Sequence, residues 1–397
     1  MNRFIRYLGW IVGVALFAVI AAWLAARPTT PDAFYTPPEP LPPKAGVLLR
    51  QEPFIRKVPA GARGWRILYS TTRPDGSIAA ASAIVLASDK ATKEPKPIIA
   101  WTHGTTGVVP GCAPSLLDDP FANVPALTKL LANNWVYVGT DYIGLGTQGP
   151  HPYLIGEGQA RSALDSVRAA RQLSDLQLSG QIVVWGHSQG GNAALWTGIL
   201  APTYAPELNI AGIAAFAPAT DIPALIDKAQ HTPVGRIMSS YVLQAYSETY
   251  PDVQISQYTS GLAHLLVRDM AGRCLADRRA LFSVAEALTV GGTVFKTPPR
   301  TGALALHLAQ NTPDQPINMA LLIAQGMADD LVFPDIQTGF VKQRCQDGQA
   351  LEYWRYAGRD HLSVVAEDSP LTEDLVQWTK DRFAGVPPQA GCQEQTH

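Results

Sequence analysis

Gly186-His187-Ser188-Gln189-Gly190 spells G-x-S-x-G, the spacing that sets a serine hydroxyl on a sharp turn between a strand and a helix. The surroundings fit that reading. The apolar run Gln181-Ile182-Val183-Val184-Trp185 leads in, and Gly191-Asn192-Ala193-Ala194-Leu195-Trp196 leads out with helical character. A serine held this way is exposed for nucleophilic attack on a carbonyl, and the free amides at the start of the helix face the oxyanion that develops.

A hydroxyl is a weak nucleophile at neutral pH and needs a base held by an acid. On such a turn those partners follow the serine in the order acid, then histidine. The acid candidates lie in Gly326-Met327-Ala328-Asp329-Asp330-Leu331-Val332, just past the apolar run 319–324. The G-x-x-D-x-x-V spacing turns Asp329 inward, with Val332 packing behind it, and leaves Asp330 as a solvated or turn-capping carboxylate. Of the eight histidines, only His361 and His397 follow these acids. His397 is the last residue and is expected to fray, so the base is His361. For the oxyanion, the donors are the amide of Gln189, directly after the nucleophile, and Thr105 in the loop His103-Gly104-Thr105-Thr106-Gly107, which follows the run 97–101. His103 reads as a structural hydrogen-bonding residue beneath the site.

The elements that position these residues are short apolar runs at 97–101, 135–139, 181–185, 210–216, 319–324 and 351–356, separated by helical stretches such as Glu157 to Leu173. Runs buried on both faces and spaced by helices make a mostly parallel sheet flanked by helices, an α/β fold. A hairpin precedes them, with Trp65 to Thr72 and Ile78 to Ala87 joined through Arg73-Pro74-Asp75-Gly76-Ser77. Residues 221–318 break the rhythm with helical stretches at Ala276 to Leu288 and Ala303 to Ala309, and read as a mainly helical cap or lid over the C-terminal edge of the sheet. The catalytic body is then 54–220 and 319–397, one elaborated domain.

At the N-terminus, Arg3 and Arg6 precede an uncharged apolar run from Leu8 to Ala26. Nineteen residues at about 1.5 Å each reach about 28 Å, enough for a bilayer core. Residues 1–26 are therefore a cleaved signal peptide or an uncleaved membrane anchor, and either makes the chain exported, secreted or periplasmic, with membrane association possible through 8–26. The proline-rich stretch 27–53 reads as an extended linker. Four cysteines, Cys112, Cys274, Cys345 and Cys392, fit an oxidising compartment, and three pairings are open.

Composition removes other classes. Charged residues are 16% of the 397-residue chain and the net charge is −2, without the clustered basic residues that nucleic acid requires. Gly144-Leu145-Gly146-Thr147-Gln148-Gly149 has the form G-x-G-x-x-G, but Pro150-His151-Pro152 follows where a helix must open, and Asp165 sits in a helical run rather than at a strand end. No H-E-x-x-H, Walker lysine motif or EF-hand loop is present, so no cofactor and no metal is called for.

Together, His103 to Gly107 with Cys112-Ala113-Pro114, Thr140 to Gly146, Gly186 to Gly191 and Asp360-His361-Leu362 resemble the fungal-type secretory lipase family, the lipase A-like branch of the α/β-hydrolases. The similarity runs from about Phe34 to Cys392. It implies hydrolysis of carboxylic esters, triacylglycerols included, through an acyl-enzyme, with Ser188, Asp329 and His361 on the family's triad positions. It also implies a helical lid at 221–318 and the pairings Cys112–Cys274 and Cys345–Cys392. A peptidase or amidase, an acyltransferase, and a catalytically inactive membrane-tethered binding module are the rival readings.

Overall fold

The computed structural model describes residues 2–275 and 280–397, without the side chains of residues 2–4, 9, 15, 16, 18–20 and 22. Helix α1 (Asn2–Ala25) leads into a ten-stranded sheet. Strands β1 (Leu48–Phe54), β2 (Ala62–Thr72) and β3 (Ile78–Ser88) form an antiparallel flank. β4 (Lys96–Thr102), α2 (Leu127–Ala132), β5 (Val136–Thr140), α3 (Gly156–Ala170), β6 (Leu178–His187), α4 (Gln189–Tyr204) and β7 (Asn209–Phe216) follow in alternation. After them come α5 (Ile222–Ala229), α6 (Pro233–Thr249), α7 (Ile255–Tyr258), α8 (Gly261–Ala271), α9 (Ala280–Val290) and α10 (Gly302–Gln310). The chain closes with β8 (Ala320–Gly326), α11 (Pro334–Gln346), β9 (Leu351–Tyr356), α12 (Leu371–Phe383) and β10 (Cys392–Thr396). The spatial order is β1-β2-β3-β5-β4-β6-β7-β8-β9-β10, parallel from β5 onward.

Alternation along each central strand builds two core layers. Ile98, Ala100, Ile182 and Val184 face α3 and α4, while Ile99, Trp101, Val183 and Trp185 face α2 and α12. The helices between β7 and β8 carry a third core of their own, around Tyr241, Tyr246, Val267, Met270 and Leu308. The helix expected over Ala276 to Leu288 runs as Ala280–Val290, and residues 276–279 lie outside the described residues.

The stretch before residue 54 departs from expectation. Residues 27–53 are not a free linker, because their own C-terminal end and strand β2 together supply the partners that a proline-rich chain lacks. Phe34 and Tyr35 are buried, Arg50 donates to the carbonyls of Ala33, Phe34 and Thr36 at 2.9, 2.7 and 3.2 Å, and Arg66 pairs with Asp32 and Glu52. Residues 48–54 are strand β1, where Pro53 is tolerated because the strand is at the sheet edge. The membrane anchor expected over 8–26 finds no support. Among the described residues no helix is long and apolar enough to cross a membrane, although seven residues of that run have side chains outside the described set. At its C-terminal end α1 is engaged with the body, with Ala26 buried and the Trp23 ring 5.0 and 5.1 Å from the Arg27 and Arg273 guanidinium carbons.

Two disulfides, Cys112–Cys274 and Cys345–Cys392, have the pairing that the family resemblance implies. The first ties the loop after β4 to the end of α8. The second pins the edge strand β10 to α11.

Under the C-terminal ends of the strands lies a buried polar floor. The Asp141 carboxylate accepts from Ser82 Oγ and Ser115 Oγ at 2.6 Å each and from the Ser115 amide at 2.9 Å, and Tyr35 OH reaches Ser115 Oγ at 2.7 Å. His103 faces the Gly104 carbonyl through Nδ1 at 2.6 Å, and Tyr142 OH donates to the His103 carbonyl at 3.2 Å. His151 donates from Nδ1 to the Ile143 carbonyl at 3.0 Å, leaving Nε2 to accept from Gln189 Nε2 at 3.1 Å. Burial pushes His103 down to about 4 and His151 down to about 3.

Two predictions follow from these contacts. Replacing Cys345 and Cys392 by serine lowers stability by about 2–4 kcal/mol, since the bond closes a long loop of the unfolded chain; urea denaturation measures it. As pH falls below about 6.5, an unfolded histidine takes a proton that the buried ring refuses, so stability drops with acidification toward about pH 4, by about 1.4 kcal/mol per pH unit for each such ring. Asp141 and Asp165, raised by burial, act in the opposite sense. His151→Gln isolates the histidine contribution: its urea midpoint falls less steeply than that of the unsubstituted protein between pH 6.5 and 4.

Candidate active site

Strand β6 ends at His187 and α4 begins at Gln189, so Ser188 alone turns the chain. It does so at φ 59° and ψ −121°, a conformation that costs a non-glycine residue about 1–3 kcal/mol. Surrounding contacts hold it there. The Ser188 amide donates to the Phe216 carbonyl at 2.9 Å, and its own carbonyl accepts from the Asn192 and Ala219 amides at 3.2 Å each. The flanking glycines are required by close approach. A Cβ on Gly186 would lie 2.1 Å from the Gly190 carbonyl oxygen, and one on Gly190 would lie 1.9 Å from that of Thr102.

The turn after β8 presents Asp329, and the loop after β9 presents His361. Two backbone bonds stitch these turns together, from the Met327 amide to the Tyr356 carbonyl at 3.0 Å and from the Ala328 amide to the Arg359 carbonyl at 2.9 Å. Asp329 is buried, and its Oδ1 accepts from the amides of Leu331 and Val332 at 2.8 Å each. Its Oδ2 accepts from His361 Nδ1 at 2.8 Å and from Gln325 Nε2 at 3.2 Å. With that proton on Nδ1, the lone pair of His361 Nε2 faces Ser188 Oγ at 2.9 Å. Asp330 is exposed. Ser188, His361 and Asp329 thus form one hydrogen-bonded chain from a strained serine to a buried carboxylate.

His397 is not frayed. It follows β10, stacks on Tyr356 with centroids 4.7 Å apart and reaches Asp374 at 3.2 Å. It is excluded from the serine by its place at the sheet edge rather than by disorder.

Thr105 follows β4 and lines the same space as Ser188 and Gln189. Its hydroxyl bonds Tyr153 OH at 3.0 Å. Gln189 is the first residue of α4, so its amide has no acceptor within the helix, and its side chain is occupied by His151.

A pocket open to solvent at its mouth leads from Ser188 beneath α5 and α6. Ile222, Leu225, Ile226, Met238, Val242 and Val332 give it an apolar wall. Apart from Val332, which the spacing around Asp329 singled out, these read as helix core, and Tyr153 carried no motif. Among the described residues, no group of acidic, histidine and cysteine side chains has the arrangement of a metal site.

Residues 122–391 match the secretory lipase family. The chain is 25% identical over 404 residues to Lipase 5 of Candida albicans, covering 92% of this chain and 84% of that one. It is 26% identical over 415 residues to the secreted triacylglycerol lipase LIP3 of Malassezia globosa, covering 95% and 87%. Its structure is similar to that of Candida antarctica lipase A, with a TM-score of 0.78 at 21% identity over 93% of this chain and 90% of that one. The parallel sheet, its antiparallel flank and the serine turn after β6 are an α/β-hydrolase fold, and with most of its length matched the chain belongs to the secretory lipase family.

Proposed function

We propose that this protein is an exported carboxylic ester hydrolase of the lipase or esterase type that works through Ser188, His361 and Asp329. The observation that carries the reading is the unbroken hydrogen-bonded chain of 2.9 and 2.8 Å from Ser188 Oγ through His361 to Asp329, ending at an apolar pocket. Membership of a family whose named relatives include secreted triacylglycerol lipases supports the substrate class and export.

In this reading His361 Nε2 takes the Ser188 proton as Oγ bonds to the ester carbonyl carbon, and the carbonyl π pair moves onto oxygen. The amides of Thr105 and Gln189 hold that oxyanion. Asp329 keeps the imidazole in register and stabilises its cation. Collapse breaks the bond to the alcohol oxygen, which leaves with the proton from His361. Water then gives a proton to His361, attacks the acyl-enzyme and releases the acid as the proton returns to Ser188. Residues 221–318 act as the lid, with α5 and α6 forming the acyl wall, over a catalytic body of 54–220 and 319–397.

Ser188→Ala is expected to lower kcat on p-nitrophenyl esters by about 10⁴–10⁶. Asp329→Asn is expected to cost about 10⁴, and Asp330→Asn to stay within about threefold because its carboxylate is solvated. Undiminished turnover in Ser188→Ala, or equal losses in the two aspartate variants, would overturn the assignment. Filling the pocket with Met238→Trp shifts preference toward butyrate over decanoate esters by about tenfold or more, the discrimination that a few displaced methylenes can carry; a chain-length series of kcat/KM measures it.

A further inference from the structure

His187, the residue between Gly186 and the serine, takes part in none of the steps above, yet it is fully buried. Its ring lies against the His361 ring with centroids 4.7 Å apart and a tilt of 38°. Its Nε2 is 2.8 Å from the His361 carbonyl oxygen. A carbonyl oxygen only accepts, so Nε2 carries a proton and donates it. Burial, reinforced by the neighbouring His361, holds the His187 ring well below the ordinary histidine range and hence neutral. The loop after β4 closes the other side, where a Cβ on Gly104 would come within 3.6 Å of His187 Nδ1.

The segment that carries His361 is exposed directly on both sides of that residue. Asp360 and Leu362, on either side of it, are exposed, and the Arg359–Asp368 ion pair that supports them is at the surface. Asp329 holds the Nδ1 edge of the His361 ring. The tie to the main chain of residue 361 comes from His187, which belongs to the rigid end of β6 and is covalently next to Ser188.

We infer that His187 is a positioning residue, whose Nε2–H···O=C bond to His361 and ring contact set the distance between the general base and the nucleophile. This rests on the Ser188–His361–Asp329 reading. The two functional side chains are then referenced to one backbone, because the residue adjoining the serine also holds the histidine. A neutral ring suits the task, since a cation there would oppose the positive charge that His361 gains during catalysis.

Three substitutions test it by stereochemistry. His187→Phe keeps a planar ring and removes the donor. His187→Gln carries its amide nitrogen about as far from Cα as imidazole Nε2, whereas His187→Asn carries its own only as far as Nδ1. Rates on p-nitrophenyl butyrate are expressed per serine titrated with an alkyl phosphonate ester, so misfolded chains are not counted. Phe and Asn are expected to lower kcat about 10–100-fold, the loss a misplaced base produces, with KM within about twofold, while Gln returns kcat to within about threefold of the unsubstituted protein. Unchanged kcat in Phe, or a Gln variant as impaired as Phe, would overturn the inference. Ser188→Ala in the same assay separates the levels: if it is inactive while Phe is unimpaired, only the role of His187 falls, and if it turns over ester, the triad reading falls and this inference with it.

Discussion

The contact between Gly190 and the carbonyl of Thr102, which leaves no room for a Cβ, is the constraint on which the site depends. It lets α4 start hard against the end of β4, so the chain must reverse within the single residue Ser188, and the reversal forces that residue to positive φ. Thr102 Oγ1 completes the junction, 3.0 Å from the Trp185 carbonyl and 2.8 Å from that of Gly190. Because the strands are parallel, the loops after β4, β8 and β9 open at the same edge, where Thr105, Asp329 and His361 converge on the serine.

The Asp329 carboxylate at this junction is satisfied by protein groups. The Asp329 oxygens accept two amides, an imidazole and a glutamine. His103 and His151 sit beneath as neutral spacers, and above them the wall of α5 and α6 is apolar. An oxyanion forming at the mouth of such a pocket meets fixed dipoles in a poorly screened setting, where they count for more than in water. The low charge of the chain agrees with this interior, because its polar groups work mostly through hydrogen bonds rather than ion pairs.

What could be read from the sequence was what is local. The serine turn is encoded within five residues, and the inward turn of Asp329 over Asp330 within seven. The central strands were legible from apolar runs buried on both faces. Residues 27–53 were misread because their order comes from contacts between residues far apart in the chain: Arg50, at the segment's own C-terminal end, donates to the Phe34 carbonyl, Arg66 of β2 pairs with Asp32, and Phe34 and Tyr35 find their pocket on β2 and β3. β10 went unseen because a polar edge strand has no apolar alternation to announce it. For the same reason His397 passed for a loose end, though Tyr356 and Asp374 hold it. The bond between His187 and His361 spans 174 positions, a distance no motif encodes.

The most direct measurement of the central claim is covalent trapping with an alkyl phosphonate p-nitrophenyl ester, followed by peptide mapping while residual ester turnover is recorded. If Ser188 is the nucleophile activated by His361, a single adduct maps to Ser188 and turnover disappears in proportion to its occupancy. Turnover that survives full modification of Ser188, or inactivation with the adduct on another residue, would contradict the account.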